Sequence, residues 1–530
     1  MFIRKQSNPS LLLIIPPKLS VGKWGSEESI RHYLILKNSG FRFFVLVIGI
    51  LLFSNSPFLY AQNEKLLNFI QSLKNEPVLK HAQWSVYAEY CRDGQVIVDF
   101  NGKVSLAPAS GLKLFTSATA LDALGEDFRF ETALYYDGRI LAGGTLQGNI
   151  YIRGGADPTL GSNRITSSLQ LDSLLQRWQE TVAAKGIKKI EGQIIADPTL
   201  VKGWPVQSKW YWEDMGNYYG AGTSGLCINE NLYRLVFRPG KKEGDPVAIL
   251  RTEPHIERMK FENYLLTGAR GSGDQAFIFA APGSYRAVLR GTVPMGGKEF
   301  SIKGSLPDPA LITAELFLEK LQQEGITIDG TASFVTKQPD YAGFTHIYST
   351  FSPSLKEIIY FLNKRSINLY AEQLAVITAL QSGEKATTAN GVKAILRFLE
   401  KMDIDTKGIR LYDASGLSRS NMITTKSMVK LLSAMTRHKS FSTFYQSLGI
   451  AGDPKDIGHV KKFGRKSILA KNTRVKTGLI SAVRSHSGYV TDRSGKQIAF
   501  SFIANNFSGS YVAIDKIHEK ILIKLAEKGN

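Results

Sequence analysis

Three short motifs that lie far apart in the chain put the strongest constraint on how it folds. They are Ser110-Gly111-Leu112-Lys113, Ser366-Ile367-Asn368 and Lys476-Thr477-Gly478. Each motif alone is common by chance, but their order and surroundings favour one shared site. The stretch from Ser110 to Ser366 is nearly half of the 530 residues. This is far more than one compact fold needs between two motifs that form the same site. We therefore expect inserted segments between the first and second motifs.

The first motif supplies a nucleophile and a base. Pro108-Ala109 precede Ser110 and an apolar helical pattern follows it, so Ser110 is predicted at a helix start with Lys113 one turn later on the same face. A serine hydroxyl is a poor nucleophile unless a base takes its proton. A lysine whose pKa is lowered by burial and by a nearby cation can be that base, and Lys476 is the predicted cation. The amide N–H groups of the helix start favour negative charge beside the serine.

The second and third motifs supply groups that bind substrate and move a proton. Ser366 is predicted to open a helix and to relay a proton to the leaving amine, and Asn368 to hold a substrate amide. The third motif is predicted to introduce a strand, with Gly478 leaving room where substrate would pair along the strand edge. The backbone N–H of Leu479 would complete an oxyanion hole with that of Ser110.

The rest of the chain mixes helical patterns with strands that look antiparallel, which indicates an α+β protein. Helices are predicted over 169–185, 309–324, 354–364, 367–381, 389–402 and 512–528, and strands over 187–197, 485–491 and 497–504.

With these motifs in place, the chain resembles the class C low-molecular-mass penicillin-binding proteins, the D-alanyl-D-alanine carboxypeptidases and endopeptidases of the type 4 group. The motif trio itself is typical of penicillin-binding proteins and β-lactamases. The resemblance covers nearly all of residues 62–530. Beyond the three motifs, it includes the segments GGADPTLGS (154–162), YWEDMGNYYGAGTSGLCINENLY (211–233), DPALITAELFLEKLQQEGITIDG (308–330), KRSINLYAEQL (364–374) and DASGLSRSN (413–421).

The resemblance implies a penicillin-binding protein or β-lactamase-like transpeptidase fold, interrupted by two nested domains. The expected parts are a catalytic domain of residues 62–130 and 344–530, an inserted domain II of 131–157 and 243–343, and an inserted domain III of 158–242. The implied reaction is hydrolysis of D-alanyl-D-alanine bonds in peptidoglycan stem peptides through an acyl-serine intermediate, with β-lactam antibiotics as covalent inhibitors.

The resemblance also implies a pocket for the stem peptide. Its residues are Asp214 and Tyr219, from the WEDM segment and its surroundings, and Arg419, from SGLSR. Asp214 could pair with the ammonium group of a diamino acid in the stem.

One position departs from the family pattern. Family members often carry Ser or Thr directly after Lys-Thr-Gly, where the hydroxyl helps to hold the substrate carboxylate, but Leu479 has no hydroxyl. Recognition of the carboxylate then rests on Thr477 and either Lys476 or Ser481.

Residues 1–61 are predicted to be an N-terminal extension followed by a secretory signal peptide. Lys37 and Arg42 precede the apolar run 43–53, and cleavage is predicted after Ala61. An uncleaved membrane anchor is the alternative, although the apolar run is short for a span. Because residues 1–36 show no periodic pattern, we expect that the true start lies later. The expected location is the periplasm or the outer face of the cytoplasmic membrane.

The composition and charge pattern limit which partners and cofactors we expect. The net charge is +20, but Lys and Arg do not cluster among aromatic residues and no nucleic-acid-binding motif is present, so nucleic acid is not expected. The eight His residues form no ligand pair at helical spacing, so no metal or other cofactor is expected. The two cysteines, Cys91 and Cys227, could pair in an exported chain, but the sequence does not decide this. It does not decide the oligomeric state either.

Two other functions compete with the peptidase. One is a β-lactamase or esterase that uses the same Ser-Lys pair, which is disfavoured because no Glu-x-x-Leu-Asn motif is present for deacylation. The other is a catalytically silent wall-binding module, which the intact Ser110, Lys113 and Lys476 argue against.

Overall fold

The computed structural model describes residues 64–529. The predicted export signal, its cleavage point and the alternative membrane anchor lie outside these residues. Within residues 64–529, no helix is both long enough and apolar enough to cross a membrane.

The chain is an α+β protein, as predicted, with long helices and several separate sheets. The helices are α1 (Glu64–Leu73), α2 (Lys113–Leu124), α3 (Leu171–Ala184), α4 (Trp212–Met215), α5 (Pro309–Gln323), α6 (Leu355–Arg365), α7 (Asn368–Gln381), α8 (Thr388–Lys401), α9 (Thr425–Met435), α10 (Phe441–Gln446) and α11 (Tyr511–Ala526). The strands are β1 (Gln83–Tyr90), β2 (Val96–Phe100), β3 (Glu131–Tyr136), β4 (Arg139–Ile140), β5 (Thr145–Gln147), β6 (Ile150–Arg153), β7 (Lys189–Ile190), β8 (Ile194–Asp197), β9 (Leu232–Arg238), β10 (Ala248–Glu253), β11 (Lys260–Asn263), β12 (Leu266–Gly268), β13 (Gln275–Ala280), β14 (Arg286–Pro294), β15 (Phe300–Ser305), β16 (Thr327–Ile328), β17 (Ala332–Phe334), β18 (Thr345–Phe351), β19 (Gly449–Ile450), β20 (Thr473–Ile480), β21 (Val483–Thr491) and β22 (Gln497–Asn505).

A six-stranded antiparallel sheet joins the two ends of the described chain, in the order β19-β20-β21-β22-β1-β2. Side chains alternate between its faces, so each strand can serve two cores. In β22, Phe500 and Phe502 pack with α1 and α11, whereas Ala499 and Ile503 face the helices on the other side. The sheet is therefore covered on both faces, which explains why nearly every residue of its central strands, β21 and β22, is buried.

The helical layer is built around α2 and α7, which contact each other. Every residue from Lys113 to Leu121 is buried, and so is every residue from Leu369 to Ala379. A helix that is buried on all sides has to be apolar all round, and the few polar side chains on these two helices need partners. The first and second motifs stand at the starts of these two helices.

The middle of the chain forms four further sheets. Their strand orders are β17-β8-β6-β3-β18, β16-β7-β5-β4, β10-β9-β15 and β11-β14-β12 with β13 also paired to β14. Strand β8 pairs with both β6 and β17, and β9 pairs with both β10 and β15. The boundaries predicted near residues 157 and 242 would cut these sheets, and the boundary near 344 would separate β18 from its partner β3.

A division that keeps every sheet whole differs from the predicted one. It would group residues 131–197 with 306–351 and would leave 198–305 as the innermost segment. The predicted boundaries do not follow these strands because strand alternation shows where a strand lies but not which distant strand it pairs with. The nested arrangement itself remains a proposal.

Three local predictions are corrected by the structure. Ser366 does not open a helix; it ends α6 in the left-handed conformation, with φ 59° and ψ 44°, and α7 begins at Asn368. The third motif does not lead into a strand but lies inside β20. The stretch 187–197 is not one strand but two short ones, β7 and β8. On the question that the sequence left open, Cys91 and Cys227 are both buried and both free, so they do not pair with each other.

Candidate active site

Ser110 lies in a single turn of 3-10 helix, Ala109–Leu112, that leads directly into α2. Ala109 has a φ of 47°, a left-handed conformation that is unfavourable for a residue with a Cβ and is typical of strained functional turns. Ser110 is half-buried, whereas Lys113 at the start of α2 is fully buried. Lys113 Nζ lies 3.0 Å from Ser110 Oγ.

Lys113 Nζ has two other, shorter contacts that orient it. It donates to Asn368 Oδ1 at 2.6 Å and to the carbonyl oxygen of Ser415 at 2.5 Å. A neutral amine has two N–H bonds and one lone pair, and a carbonyl oxygen can only accept. The two N–H bonds are therefore directed at the two acceptors, and the lone pair is left for the Ser110 hydroxyl, as a general base requires.

Burial lowers the pKa of Lys113 to about 7. The negative charge of Asp413, and that of Glu372 whenever Glu372 is ionised, acts in the opposite direction and limits this shift. Near neutral pH a substantial fraction of Lys113 is therefore the free amine. An exposed lysine would remain almost entirely protonated.

The second serine contacts the second lysine. Lys476 Nζ donates to Ser366 Oγ at 2.9 Å and to the Thr477 carbonyl oxygen at 2.7 Å. Burial holds the pKa of Lys476 well below its usual range, and the positive charges of Lys113 and Arg484 lower it further. Two buried ammonium groups that repel each other are costly, so the two lysines are not both fully in the ammonium form at neutral pH.

The free edge of β20 lies next to the nucleophile segment. Its partner β19 covers only Arg474 and Val475, so residues 476–480 have no strand on that side within the described chain. A Cβ on Gly478 would lie 2.4 Å from both the Pro108 carbonyl oxygen and Ser485 Oγ. Glycine is thus required for close packing of β20 on the nucleophile segment, which is a different reason from the predicted one.

The remaining predicted carboxylate contacts lie along the same strand and its turn. Thr477 is half-buried, Leu479 is 44% exposed, and Ser481 is exposed in the turn between β20 and β21. No hydrogen bond joins Ser481 to another described site residue.

The segment 204–221 reaches the site from the inserted part of the chain. Asn368 Nδ2 donates to the backbone oxygen of Tyr219 at 2.8 Å, so Tyr219 contacts the site through its main chain. Asp214 is buried and accepts from Arg419 at 3.0 Å, and the Arg419 guanidinium stacks on the Tyr211 ring at 3.9 Å. Asp214 is therefore already paired, which the sequence did not predict.

Sequence reasoning missed two acidic residues behind Lys113. Asp413 accepts hydrogen bonds from four donors: the backbone N–H groups of Gly416 and Ser418, the Asn421 amide and the Trp210 indole. Glu372, in α7, accepts from the backbone of Ala414 and Ser415. Glu372 lies within KRSINLYAEQL and Asp413 within DASGLSRSN, and the signal that could have revealed Glu372 is a single acid in a largely apolar helix.

Together, the fold and these contacts define a class of protein: an active-serine hydrolase in which two buried lysines each contact a serine hydroxyl at the junction of a helical layer and an antiparallel sheet. A family model described as "D-Ala-D-Ala carboxypeptidase 3 (S13) family" matches residues 66–524. The chain therefore belongs to this family of serine-type carboxypeptidases, which confirms the predicted family.

Individual relatives agree with the family assignment. The D-alanyl-D-alanine carboxypeptidase of an Actinomadura species is 28% identical over 477 residues, covering 88% of this chain and 85% of the relative. The D-alanyl-D-alanine carboxypeptidase DacB of Haemophilus influenzae is 26% identical over 426 residues, covering 79% and 85%. The crystal structure of penicillin binding protein 4 from Haemophilus influenzae shares this fold, with a TM-score of 0.75, 23% identity and coverage of 86% of this chain and 99% of that one.

Proposed function

We propose that this protein is a serine D-Ala-D-Ala carboxypeptidase and endopeptidase that cleaves peptidoglycan stem peptides and crosslinks through an acyl-Ser110 intermediate. The observation that carries the proposal is the hydrogen bonding of Lys113. Its two short contacts to Asn368 and Ser415 leave the lone pair of the neutral amine for the Ser110 hydroxyl. The pKa near 7 makes that amine available at neutral pH.

In the acylation step, Ser110 Oγ attacks the carbonyl carbon of the penultimate D-alanine while its proton passes to Lys113 Nζ. The tetrahedral oxyanion is held by the backbone N–H groups of Ser110 and Leu479. The bond to the terminal amine then breaks, and that amine needs one proton to leave. The contact between Lys476 and Ser366 provides a path for this proton from the ammonium through the hydroxyl.

In the deacylation step, water attacks the acyl-Ser110 carbonyl carbon and loses a proton to Lys476, which acylation left neutral, while Ser110 Oγ takes back the proton held by Lys113 and leaves as the hydroxyl. Together the two steps restore the starting protonation of both lysines, so no reactant other than water is needed. A carboxypeptidase and an endopeptidase differ here only in the leaving amine: a free D-alanine or the crosslinked stem. Leu479 and Ser481, which follow Lys476 in the chain, are both exposed. We propose that the larger leaving group fits at this open end of the site.

The substrate backbone is proposed to lie along the free edge of β20. An extended peptide can complete a sheet edge with main-chain hydrogen bonds, and Asn368 adds an amide contact on the opposite wall. The terminal carboxylate would meet the hydroxyl of Thr477, with Ser481 or Lys476 as further contacts.

The stem residue upstream is proposed to meet the pair of Asp214 and Arg419, with Tyr219 beside it. Because Arg419 is paired with both Asp214 and Glu213, the pocket offers two negative groups beside one positive group. This group of charges could pair with both the ammonium and the carboxylate of a diamino acid side chain, whereas a simple amine would use only the negative groups.

β-Lactams are proposed to acylate the same serine. Penicillin binding protein 4 from Haemophilus influenzae has been solved in complex with a β-lactam, and it shares this fold. The predicted signal segment further supports export, and we place the enzyme in the periplasm or at the outer face of the cytoplasmic membrane, where its substrate lies.

The function is tested by incubating the protein with purified muropeptides and following the products by mass spectrometry. Monomeric pentapeptides should lose one alanine, and crosslinked dimers should become monomers. If pentapeptides react and dimers remain intact, the endopeptidase activity is excluded. If neither reacts, the proposed function is wrong. Release of hydrolysed penicillin at many turnovers, instead of a stable adduct, would favour a β-lactamase.

A further inference from the structure

Glu372 lies one helical turn after Asn368 in α7, with its side chain fully buried. One oxygen, Oε1, accepts two backbone N–H groups, from Ala414 at 3.0 Å and from Ser415 at 2.8 Å. The carbonyl oxygen of the same Ser415 receives the hydrogen bond from Lys113. Glu372 thus anchors the residue that orients the amine of Lys113 without contacting the reacting atoms itself.

The second oxygen of Glu372, Oε2, is buried and has no hydrogen-bond partner among the described residues. Asp413, on the segment that Glu372 holds, has all its acceptor positions occupied by four donors. An ionised carboxylate is stabilised by such donors and strongly destabilised when one oxygen is buried without any. The negative charge therefore resides on Asp413, and Glu372 is favoured as the neutral acid.

We infer that Glu372 is a positioning residue for the general base: its neutral carboxyl fixes Ser415 against Lys113 without adding a second buried negative charge beside the amine. This inference rests on the proposed acyl-Ser110 mechanism. If Glu372 were ionised, its charge would favour the ammonium form of Lys113 and remove the base.

The charged groups around this pair agree with the inference. The charge of Asp413 acts on the pKa of Glu372, and both acids act on the pKa of Lys113 when they are ionised. The pKa of Lys476, in β20, is lowered by the charges of Lys113 and of Arg484 in β21. Burial, and next the charge of Asp413, raise the pKa of Glu372 to about 8. The carboxyl is thus mainly neutral at the pH at which Lys113 begins to lose its proton.

The test compares Glu372→Gln and Glu372→Ala in the full-length protein. Glutamine keeps the accepting oxygen and imitates the neutral acid, whereas alanine removes the acceptor of both N–H groups. The rate of acylation by a fluorescent penicillin is measured from pH 5.5 to 9. The matched control is Glu384→Gln, because Glu384 also has a buried Oε2 without a hydrogen-bond partner but lies beyond the far end of α7 and pairs with Arg397.

We expect Glu372→Gln to keep acylation at pH 7 within a few-fold of wild type and to leave the acid limb of the pH profile in place, because glutamine imitates the neutral acid that is already beside Lys113 at that pH. We expect Glu372→Ala to slow acylation by roughly tenfold or more. The control should leave rate and limb unchanged.

Three results would overturn the inference: a folded Glu372→Ala that acylates at the wild-type rate, a folded Glu372→Gln that has lost acylation, or a Glu372→Gln acid limb that moves clearly to lower pH, which would show that Glu372 is ionised in the wild type. If Glu372→Ala fails to fold, the two Glu372→Gln readouts decide. Absence of labelling in the wild-type protein would instead contradict the proposed function, so the two failures are distinguishable.

Discussion

Gly478 approaches the nucleophile segment so closely that a Cβ at this position would lie 2.4 Å from the carbonyl oxygen of Pro108. A real Cβ cannot tolerate such a contact with backbone, so Gly478→Ala should push β20 and the turn that carries Ser110 apart. Because a misplacement of about 1 Å can cost roughly a hundredfold in rate, we expect penicillin acylation to fall by about that factor. The control is Gly343→Ala, at an exposed glycine where an added Cβ would meet open space. Wild-type acylation in Gly478→Ala would show that the close packing is not needed.

Lys113 should impose a rising pH dependence on acylation. Its pKa is lowered to about 7 by burial, so the amine is protonated below that pH and cannot accept the proton of Ser110. The rate should therefore rise through pH 7 and level off above it. Lys113→Arg keeps the positive charge but cannot lose its proton, and should lower the rate by about a hundredfold or more at every pH.

The control for this series is Lys103→Ala, at an exposed lysine on the loop before Ser110. Stopped-flow or gel-based labelling at several pH values measures the profile. A flat wild-type profile between pH 6 and 9 would argue against a lysine base.

Leu479 should limit the handling of substrates that end in a free carboxylate. Leu479→Ser adds a hydroxyl next to the third motif, and a hydrogen bond to a charged group contributes about 1.5–3 kcal/mol. We expect hydrolysis of a D-alanyl-D-alanine peptide to improve by roughly tenfold, and acylation by penicillin to improve less, because the strained β-lactam ring depends less on positioning. Leu479→Ala, which removes the apolar side chain without adding a donor, is the control. An unchanged ratio of the two rates would mean that Thr477 or Ser481 already holds the carboxylate.

His518 should make the protein less stable in acid. Its Nε2 accepts from the Trp84 indole at 3.1 Å, its Nδ1 lies 2.9 Å from His486 Nδ1, and burial lowers its pKa to about 3. Below pH 6.5 the unfolded chain binds a proton at this position that the folded chain does not, so stability falls as the pH falls towards 3, by up to about 1.4 kcal/mol per pH unit.

The measurement for His518 is urea unfolding between pH 4 and 7. His518→Gln keeps an acceptor for Trp84 but cannot be protonated, and should show a shallower loss of stability over this range, with His486 retaining its own contribution. His81→Gln, at an exposed histidine, is the control and should follow wild type. An identical slope in His518→Gln would show that this histidine is not the buried neutral group described.

The elements nearest to the site were largely predictable from sequence because local patterns specify them. The helix after Ser110, the apolar α7 and the strands of the C-terminal sheet all follow from side-chain periodicity. The conformation of Ser366 did not, because a left-handed residue between two helices leaves no trace in apolar spacing when the residue is not glycine.

The contacts made over long distances in the chain were less predictable. Strand β8 pairs with β17, and β9 pairs with β15, although the paired strands lie far apart in the chain. The alternation of side chains within a strand does not show which distant strand is its partner. The pairing of Asp214 with Arg419 is similar, since each could be assigned to a substrate pocket but not to the other. Glu372 was invisible as a functional residue because its role depends on the segment around Asp413, which reaches it only in the folded chain.

The central claim is that Ser110 is the acylated residue, and peptide mapping by mass spectrometry after reaction with penicillin tests it most directly. Wild-type protein should carry one adduct, on the peptide that contains Ser110. Ser110→Ala should carry none while remaining folded, because the half-buried hydroxyl has a hydrogen bond with Lys113 alone among the described residues and one hydrogen bond contributes about 0.5–1.5 kcal/mol. An adduct on any other serine, or labelling that persists in Ser110→Ala, would contradict the account.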